Sequence, residues 1–356
     1  MQKLKNIYHL FQAILANIIY GFPSRKLRVI GITGTDGKTT TTHLIAHILK
    51  SAGKKVSFIS SVVASGFHVT TPSSFTLQKL LRQAVNNHDE YFVLETTSHA
   101  LDQNRVWGIK YEIGVITNIT HEHLDYHKTF EDYAKTKLKL LKMSKIGIKN
   151  TNKIANVIKK IPDLTKFNQY NYSAAYTVCK QLGLSNETIL KAMKTFQLPK
   201  GRLDLVYDKD FKVIIDFAHT PNALLQLLPE IRKKYLKKNG RLIHVFGSAG
   251  LRDFTKRPLM GEASLKFSDV IFITEEDYRT EDLQKICQQI ASGIKNKKYQ
   301  IILDRQEAIN QAVKTAKTND VLVITGKAHE NSLCRGKTEY PWDEYEAVRK
   351  ALLNKI

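Results

Sequence analysis

Short apolar runs alternate with amphipathic stretches along most of the chain. The apolar runs predict strands at residues 28–33, 91–94, 113–117, 213–216, 242–246, 270–274, 300–303 and 321–325. The stretches between them repeat apolar residues at helical spacing and predict helices at 76–87, 130–141, 222–236, 281–294 and 306–316. Alternation of strand and helix is typical of a parallel α/β sheet, whose ligands bind beyond the carboxyl ends of the strands. We therefore expect the functional residues directly after the strands.

The pattern also divides the chain. Pro199 and Gly201 interrupt the helical pattern at residues 198–204, and Gly21, Phe22 and Pro23 end an earlier one. In that earlier pattern the apolar positions are Leu4, Ile7, Tyr8, Phe11, Ile14, Leu15 and Ile18. The sequence thus predicts an N-terminal amphipathic helix within residues 1–27 and α/β domains at 28–200 and 201–356.

A glycine-rich segment lies between the first strand and the helical run that ends near Lys50. It consists of Gly34, Thr35, Asp36, Gly37, Lys38, Thr39 and Thr40. Such glycines let backbone N–H groups face an anion, and a helix N-terminus adds a favourable dipole. Lys38 is placed to reach terminal phosphates and Thr39 to ligate Mg²⁺, although Ile32 stands where the GxxxxGK[ST] pattern has its first glycine. The segment predicts a phosphate loop.

Two further strands are followed by candidate metal ligands. Glu95 follows the strand at 91–94, and His121, His123 and His127 follow the strand at 113–117. A carboxylate and imidazoles there suit a divalent ion held against ATP phosphates. The HxHxxxH spacing lacks the helical HExxH pattern, which favours Mg²⁺ over zinc. For His121 and His127, an ordinary polar role and a role in the site stay equally open.

Composition narrows the class of protein. The 356 residues are 42% hydrophobic and 25% charged, which is typical of globular domains. With 55 Lys and Arg against 33 Asp and Glu, the formal charge is +22. A charge of this size suits an anionic partner such as nucleic acid, a membrane surface or a phosphorylated substrate. The alternative is that the basic residues simply form a solvated surface. The three cysteines are far apart and form no disulfide framework or CxxC site, so we expect a cytoplasmic protein.

The motifs, in this order, resemble those of the Mur ligase superfamily, and within it the MurE-type ligases. Residues 33–41 resemble TGTNGKT with Asp36 in place of Asn, residues 95–101 resemble EVSSHAL, and residues 117–127 resemble TNLxxDHLDYH. Further similar segments are 70–72 (TTP), 216–221 (DYAHTP), 246–260 (FGCGGDRD and KRPLM) and 326–330 (GKGHE). The resemblance implies a P-loop-type ATPase domain with a parallel sheet, followed by a Rossmann-like C-terminal domain.

The resemblance also implies roles for individual residues. Lys38, Glu95, His123 and Lys137 are the implied catalytic residues, and Lys137 is expected to be carbamylated. Thr39 and Glu95 are expected to hold one Mg²⁺, and Glu95, His123 and Lys137 a second. Implied ATP contacts, besides the phosphate loop, are Asn168, Arg202, His219 and Asp253, the last with Leu251 in place of a neighbouring Asp.

The remaining implied contacts concern the two substrates that are joined. A muramoyl-dipeptide-like acceptor is expected at Thr70, Thr71, Thr97, Gln103 and Arg105. The incoming amino acid is expected at Arg279, Gly326 and Glu330, where Arg279 stands for the last residue of a TxDNPR motif whose Asn and Pro are Asp277 and Tyr278 here. Arg279 and Glu330 suit the zwitterionic end of diaminopimelate, with lysine as the other candidate; a salt bridge in a loop is the alternative role for this pair.

The resemblance also leads us to expect two departures from the family pattern. We expect one helix in place of the N-terminal UDP-binding domain, and a shorter segment between Lys142 and Phe167 without the family's Asn-Asp-Asp-Pro-like strand. The implied function is an ATP-dependent amide ligase that works through an acyl phosphate. Alternatives are a related ligase with a lipid-linked or non-UDP acceptor, a ligase of the folylpolyglutamate or cyanophycin type, or a nucleotide-binding partner subunit.

A nucleic-acid-binding ATPase is the hypothesis from a different class, and we find no aromatic-studded basic motif that supports it. The helix at residues 4–20 has two candidate roles. It packs its apolar stripe onto the ATPase domain, or it contacts an anionic membrane surface peripherally.

Overall fold

The computed structural model describes residues 2–63, 70–149, 155–296 and 299–355. Its α/β elements form two compact units: unit 1 comprises residues 2–120 and 129–199, and unit 2 comprises residues 121–128 and 200–355. The chain passes between them at residues 120–121, 128–129 and 199–200, and the last of these lies inside the stretch where the sequence predicts a domain boundary.

Unit 1 is built on a sheet of five parallel strands in the order β2-β3-β1-β4-β5. The strands are β1 (Arg28–Thr33), β2 (Val56–Ile59), β3 (Tyr91–Glu95), β4 (Tyr111–Ile116) and β5 (Ser144–Lys149). The central strands are buried almost throughout, because helices cover both faces of a parallel sheet. Their carboxyl ends therefore meet at one edge, where polar side chains follow β1, β3 and β4.

Helices cover the two faces of this sheet. They are α1 (Gln2–Ile19), α2 (Lys38–Ser51), α3 (Ser74–Asn86), α4 (Ser98–Asp102), α6 (Phe130–Lys142), α7 (Lys166–Gln181) and α8 (Asn186–Thr195). The two faces of the sheet have separate hydrophobic cores. Ile30 of β1 belongs to the core formed with α2, α7 and α8, and Phe92 of β3 belongs to the core formed with α3, α4 and α6. Local signals agree with this arrangement, since Ser73 and Thr129 accept N-cap hydrogen bonds at the starts of α3 and α6.

Helix α1 packs onto unit 1, but not by the face that the apolar stripe predicts. Ala13, Ala16 and Asn17 are its buried residues, while the stripe faces outward. Asn17 Nδ2 donates to the carbonyl of Trp107 at 2.9 Å, and Asn6 Nδ2 donates to Asp102 Oδ2 at 3.0 Å. The helix thus packs onto the domain, but through small residues and polar contacts and not through its apolar stripe.

Unit 2 has a six-stranded mixed sheet in the order β10-β9-β8-β11-β7-β6, in which only β6 is antiparallel to its neighbour. Its strands are β6 (Asp204–Asp208), β7 (Lys212–Asp216), β8 (Leu242–Phe246), β9 (Val270–Ile273), β10 (Tyr299–Ile301) and β11 (Val321–Thr325). The antiparallel pair of β12 (Ser332–Arg335) and β13 (Thr338–Pro341) is separate. The helices are α5 (Leu124–His127), α9 (Pro221–Tyr235), α10 (Lys256–Phe267), α11 (Leu283–Ala291), α12 (Arg305–Thr315) and α13 (Glu344–Leu353).

Two buried polar groups stand out in the core of unit 2. Arg305 and Glu344 form an ion pair with no exposed surface, and Trp342 Nε1 also donates to Glu344 at 2.8 Å. His244, in β8, lies within hydrogen-bonding distance of Ser264 and Thr325, at 2.9 and 3.1 Å. Burial lowers the pKa of His244 to about 3, so the ring is neutral at physiological pH.

The prediction of an α/β fold is confirmed. All eight predicted strands are present, with ends that differ by at most two residues. Residues 142–167 contain a strand that the apolar pattern did not predict, β5 from Ser144 to Lys149. Strand β5 lies at the sheet edge, and its side chains alternate between partly buried and exposed, so it shows no continuous apolar run.

Candidate active site

The phosphate loop after β1 requires two glycines. Gly34 and Gly37 have backbone φ angles of 153° and 81°, which residues other than glycine rarely adopt. A Cβ at Gly34 would meet Thr117 Oγ1 at 1.8 Å, and one at Gly37 would meet Asn171 Oδ1 at 2.1 Å. The loop therefore runs too close to its neighbours for any side chain, and Gly37 is the N-cap of α2.

Residues after β4 hold the loop in place. Asn118 Oδ1 accepts from the backbone N–H of Asp36 at 2.9 Å, and Thr117 Oγ1 donates to the Asp36 carbonyl at 2.7 Å. Thr35 Oγ1 lies 3.0 Å from the Tyr133 hydroxyl. Sequence patterns missed these supporting residues, although residues 117 and 118 lie in a segment already singled out for its histidines.

Two lysines donate to successive parts of the loop. Lys38 Nζ donates to the Thr35 carbonyl at 2.8 Å, and Lys137 Nζ donates to the Gly34 carbonyl at 2.7 Å. Lys137 is only 1% exposed and lies over the Tyr133 ring at 4.4 Å. Two ammonium groups and the N-terminus of α2 make this edge of unit 1 attractive to phosphate.

An oxygen-rich group lies beside the loop. Thr39 Oγ1 donates to Glu95, 3.1 Å from Oε2 and 3.3 Å from Oε1, and Ser61 Oγ lies 3.0 Å from the same hydroxyl. The backbone N–H of Ser61 donates to Glu95 Oε2 at 3.0 Å. Hard oxygen ligands of this kind fit Mg²⁺, which usually takes one or two carboxylates together with substrate phosphates and water.

A dedicated all-protein metal cage is not part of this arrangement. Across residues 2–63, 70–149, 155–296 and 299–355, no group of three or more His, Cys, Asp or Glu side chains is arranged to hold a metal ion. The candidate Mg²⁺ ligands that the structure brings into contact are Thr39 and Glu95. The expected roles of His123 and of a carbamylated Lys137 at a second ion stay predictions.

The residues expected to bind the acceptor come together next to Glu95. Thr71 Oγ1 donates to the Glu95 carbonyl at 2.9 Å and accepts from the backbone N–H of Thr97 at 3.0 Å. Arg105 donates to the Thr71 carbonyl at 2.9 Å and to Gln103 Oε1 at 2.6 and 2.8 Å. Thr70 directly precedes this group. A guanidinium aligned by Gln103 suits a carboxylate ligand.

The start of α7 also lies against the loop. Asn171, whose Oδ1 fills the space at Gly37, donates through Nδ2 to Asn168 Oδ1 at 3.1 Å. Both side chains are buried. Asn168 was expected to contact ATP, and the structure brings it to the same loop by way of Asn171, which sequence reasoning missed.

In unit 2, expected nucleotide contacts lie at the end of β7. Asp216 accepts from the backbone N–H groups of Leu203 and Ala218, each at 2.8 Å, and burial raises its pKa. The Arg202 guanidinium lies over the Phe217 ring at 4.9 Å. His219 Nδ1 is 2.8 Å from the Phe217 carbonyl.

Residues 121–128, which belong to unit 2, are held there by hydrogen bonds and an ion pair. Lys256 Nζ donates to Glu122 Oε1 and to the His219 carbonyl, each at 3.0 Å, and Lys256 and Glu122 are both buried. Asp253 accepts from the backbone N–H of Leu124 at 3.3 Å. His121 Nε2 lies 3.0 Å from Thr255 Oγ1. His123 belongs to this segment and has a φ angle of 59°.

The residues expected to bind the amino acid form a charged cluster in unit 2. Lys327 pairs with Glu330 and with Asp277, the latter at 2.8 Å. Burial alone would lower the pKa of Lys327, but the two carboxylates outweigh it and raise that pKa. Burial raises the pKa of Glu330 against the effect of Lys327. Arg279 donates to the Gly250 carbonyl at 2.6 Å.

Gly326 lies in the same cluster. It has a φ angle of 107°, and a Cβ there would meet Glu276 Oε2 at 3.0 Å. Lys327, Glu276 and Asp277 were not predicted as site residues. The sequence could have indicated them, because each lies in or next to one of the two C-terminal motifs, the TxDNPR-like and GKGHE-like segments.

A phosphate loop on a parallel sheet, with an oxygen ligand set for Mg²⁺ beside it, defines a nucleotide-binding protein of the P-loop class. Comparison with known proteins narrows this class. Residues 32–204 match the Mur ligase middle domain, and residues 201–328 match the glutamate ligase domain of Mur ligases. The chain belongs to the Mur ligase family, whose members are ATP-dependent ligases.

Its relatives include named diaminopimelate ligases. UDP-N-acetylmuramoyl-L-alanyl-D-glutamate–2,6-diaminopimelate ligase 1 of Clostridium acetobutylicum is 37% identical over 389 residues, which cover 94% of this chain and 80% of that protein. The corresponding ligase of Aquifex aeolicus is 36% identical, with 95% and 80% covered. These matches confirm the resemblance to MurE-type ligases.

Solved structures agree on the fold. The structure of a UDP-N-acetylmuramoyl-L-alanyl-D-glutamate–2,6-diaminopimelate ligase has a TM-score of 0.55 and 27% identity, covering 92% of this chain and 79% of that one. Mycobacterium tuberculosis folylpolyglutamate synthase, solved with ADP and AMPPCP, has a TM-score of 0.68 at 15% identity, covering 90% and 96%. The latter shows a shared fold.

Proposed function

We propose that this protein is an ATP-dependent ligase that adds an amino acid to the peptide carboxylate of a muramoyl-dipeptide-like acceptor in peptidoglycan precursor synthesis. One observation carries the proposal. In unit 1 the phosphate loop, the Thr39–Glu95 pair and the acceptor residues around Thr71 form one hydrogen-bonded group. The names of the relatives support the same reaction.

The residues of unit 1 account for the first step, in which the acceptor carboxylate attacks the γ-phosphate of ATP to give an acyl phosphate and ADP. Arg105, aligned by Gln103, holds an acceptor carboxylate. Lys38 and the N-terminus of α2 offset the charge on the phosphates. Thr39 and Glu95 would hold Mg²⁺, which neutralises developing charge on the transferred phosphoryl group.

For the second step we assign the amino acid to the cluster of unit 2. Arg279 pairs with a carboxylate and Glu330 with an ammonium, which suits the zwitterionic side-chain end of diaminopimelate. Lysine is the second candidate, because its side-chain ammonium could pair with Glu330 in the same way. The amine then displaces phosphate from the acyl phosphate.

We also assign the remaining predicted site residues to this reaction. Arg202, His219 and Asp253 bind nucleotide, and His123 and a carbamylated Lys137 complete the metal ligands. The domains follow the boundaries 1–27, 28–200 and 201–356. We place the enzyme in the cytoplasm, where ATP is available, with residues 4–20 as the peripheral membrane contact.

The test is phosphate release from ATP with a panel of acceptors and amino acids. UDP-linked, free and lipid-linked muramoyl-dipeptides are each combined with diaminopimelate, lysine or ornithine. We expect release that requires both one acceptor and one amino acid. Release that is independent of every acceptor contradicts the proposal and favours a nucleotide-binding partner subunit.

A further inference from the structure

Helix α1 has an apolar face that nothing in the described structure covers. The side chains of Leu4, Ile7, Tyr8, Phe11, Leu15, Ile18 and Ile19 are 50% to 71% exposed. Soluble proteins seldom expose a contiguous apolar patch of this kind without a use for it. The opposite face is the one that packs, through Ala13, Ala16 and Asn17.

The helix is held firmly in this orientation. Asn17 donates to the Trp107 carbonyl, Asn6 donates to Asp102, and Arg82 Nε donates to the Tyr20 carbonyl at 2.9 Å. A Cβ at Gly108 would meet the Asn17 amide at 2.7 Å, so the contact is close. These contacts lie on one side of α1 and at its end, which leaves the apolar side facing outward.

The sequence that forms α1 and the residues after it carries charge of one sign. The first 35 residues contain five Lys and Arg and no Asp or Glu. Arg25 and Lys26 follow the end of α1 and are exposed, as is Lys5 within it. Unit 1 as a whole has 26 Lys and Arg against 10 Asp and Glu, a formal +16 of the total +22. The unit that bears the apolar face is thus also the strongly basic one.

We propose that α1 docks unit 1 onto an anionic lipid bilayer, lying in the plane of the headgroups with Leu4, Phe11 and Leu15 inserted among the acyl chains. Amphipathic helices bind such surfaces through buried apolar area together with attraction of basic residues to anionic lipid. Tyr8 adds an aromatic ring of the kind enriched at membrane interfaces. No helix in the described residues is long and apolar enough to cross a membrane.

Charge complementarity favours an anionic lipid surface, and not a second copy of the chain, as the partner that covers the apolar face of α1. Two copies would bring two basic units of +16 together, whereas headgroups of phosphatidylglycerol neutralise that charge. This proposal goes beyond the ligase function, and vesicle binding measured without ATP or acceptor tests it independently.

The experiment is flotation of the 356-residue chain with vesicles of phosphatidylglycerol mixed with phosphatidylcholine, and with vesicles of phosphatidylcholine alone. We expect binding to the anionic vesicles that weakens in about 0.5 M salt, where the Debye length is roughly 4 Å. Phe11→Ser with Leu15→Ser should lower the partition coefficient by about tenfold or more. Light scattering reports the oligomeric state of each form.

A matched control removes two exposed leucines from unit 2, Leu225→Ser with Leu353→Ser, and should bind vesicles as the unaltered chain does. Both double variants should keep their melting temperature, since all four side chains face outward. The proposal is overturned if the unaltered chain ignores anionic vesicles, binds neutral vesicles equally well, or loses binding equally in the control. A dimer that the Phe11 and Leu15 changes dissociate would assign the face to a second copy instead.

Discussion

Replacing Lys137 by alanine separates two roles for this buried side chain. In the structure its Nζ donates to the Gly34 carbonyl at 2.7 Å, so as an ammonium it anchors the phosphate loop. As a carbamate it would instead supply an anionic oxygen ligand near the oxygen group of Glu95 and Thr39. The two roles predict effects of different size on the ligase reaction.

If Lys137 only anchors the phosphate loop, the loss of kcat/KM in the alanine variant has an upper limit. A hydrogen bond from a charged donor contributes roughly 1.5–3 kcal/mol. At 1.4 kcal/mol for each factor of ten, loss of the anchor alone lowers kcat/KM by about 10- to 150-fold. Loss of a carbamate would instead remove a group that stabilises the charge on the transferring phosphoryl group, which costs about 10²- to 10³-fold. We expect the larger loss for Lys137→Ala.

The assay is acceptor-dependent phosphate release, with formate or acetate added to the variant. A small carboxylate fits the space that alanine leaves and restores part of the activity if a carbamate is the native group. Lys135→Ala, an exposed lysine of the same helix, is the control and should change little. A loss below about 150-fold with no rescue by carboxylates would refute the carbamate and leave Lys137 as a loop anchor.

Three further outcomes follow from other parts of the structure. Glu95→Gln should raise the Mg²⁺ concentration needed for half-maximal activity by at least about tenfold, measured by metal titration, because the amide lacks the anionic charge that attracts the ion. Glu344→Gln should destabilise unit 2 by about 3–5 kcal/mol in urea unfolding, since it leaves the buried Arg305 charge unpaired. His244 should make stability fall as pH drops: its unfolded pKa is near 6.5 and its folded pKa about 3, so the unfolded chain takes up the proton first. That contribution is about 1.4 kcal/mol per pH unit between those values, and His244→Asn should flatten the profile; an unchanged profile contradicts a buried neutral ring.

Strand prediction succeeded where a strand is covered on both sides. Strands β1, β8 and β11 are buried almost throughout and therefore appear as unbroken apolar runs. Strands β2 and β5 lie at the edges of their sheet, where half-exposed side chains dilute the pattern. Their existence depends on pairing with neighbours that are distant along the chain, which periodicity does not report.

The site shows the same division between local and distant information. Glycine spacing identifies the phosphate loop, because Gly34 and Gly37 adopt backbone angles that other residues avoid. The support from Thr117 and Asn118 comes from residues about 80 positions away, and only the fold brings them there. Likewise, periodicity found the apolar stripe of α1 but not which face of the helix packs.

The central claim is that the acceptor carboxylate attacks ATP before the amide bond forms. The most direct measurement uses an acceptor whose peptide carboxylate carries ¹⁸O, with mass spectrometry of the released phosphate. The account predicts one ¹⁸O atom in each phosphate and the other in the amide product, because the acyl phosphate breaks on the acyl side when the amine attacks. Phosphate without ¹⁸O would contradict the account, since water and not the acceptor would then have attacked ATP.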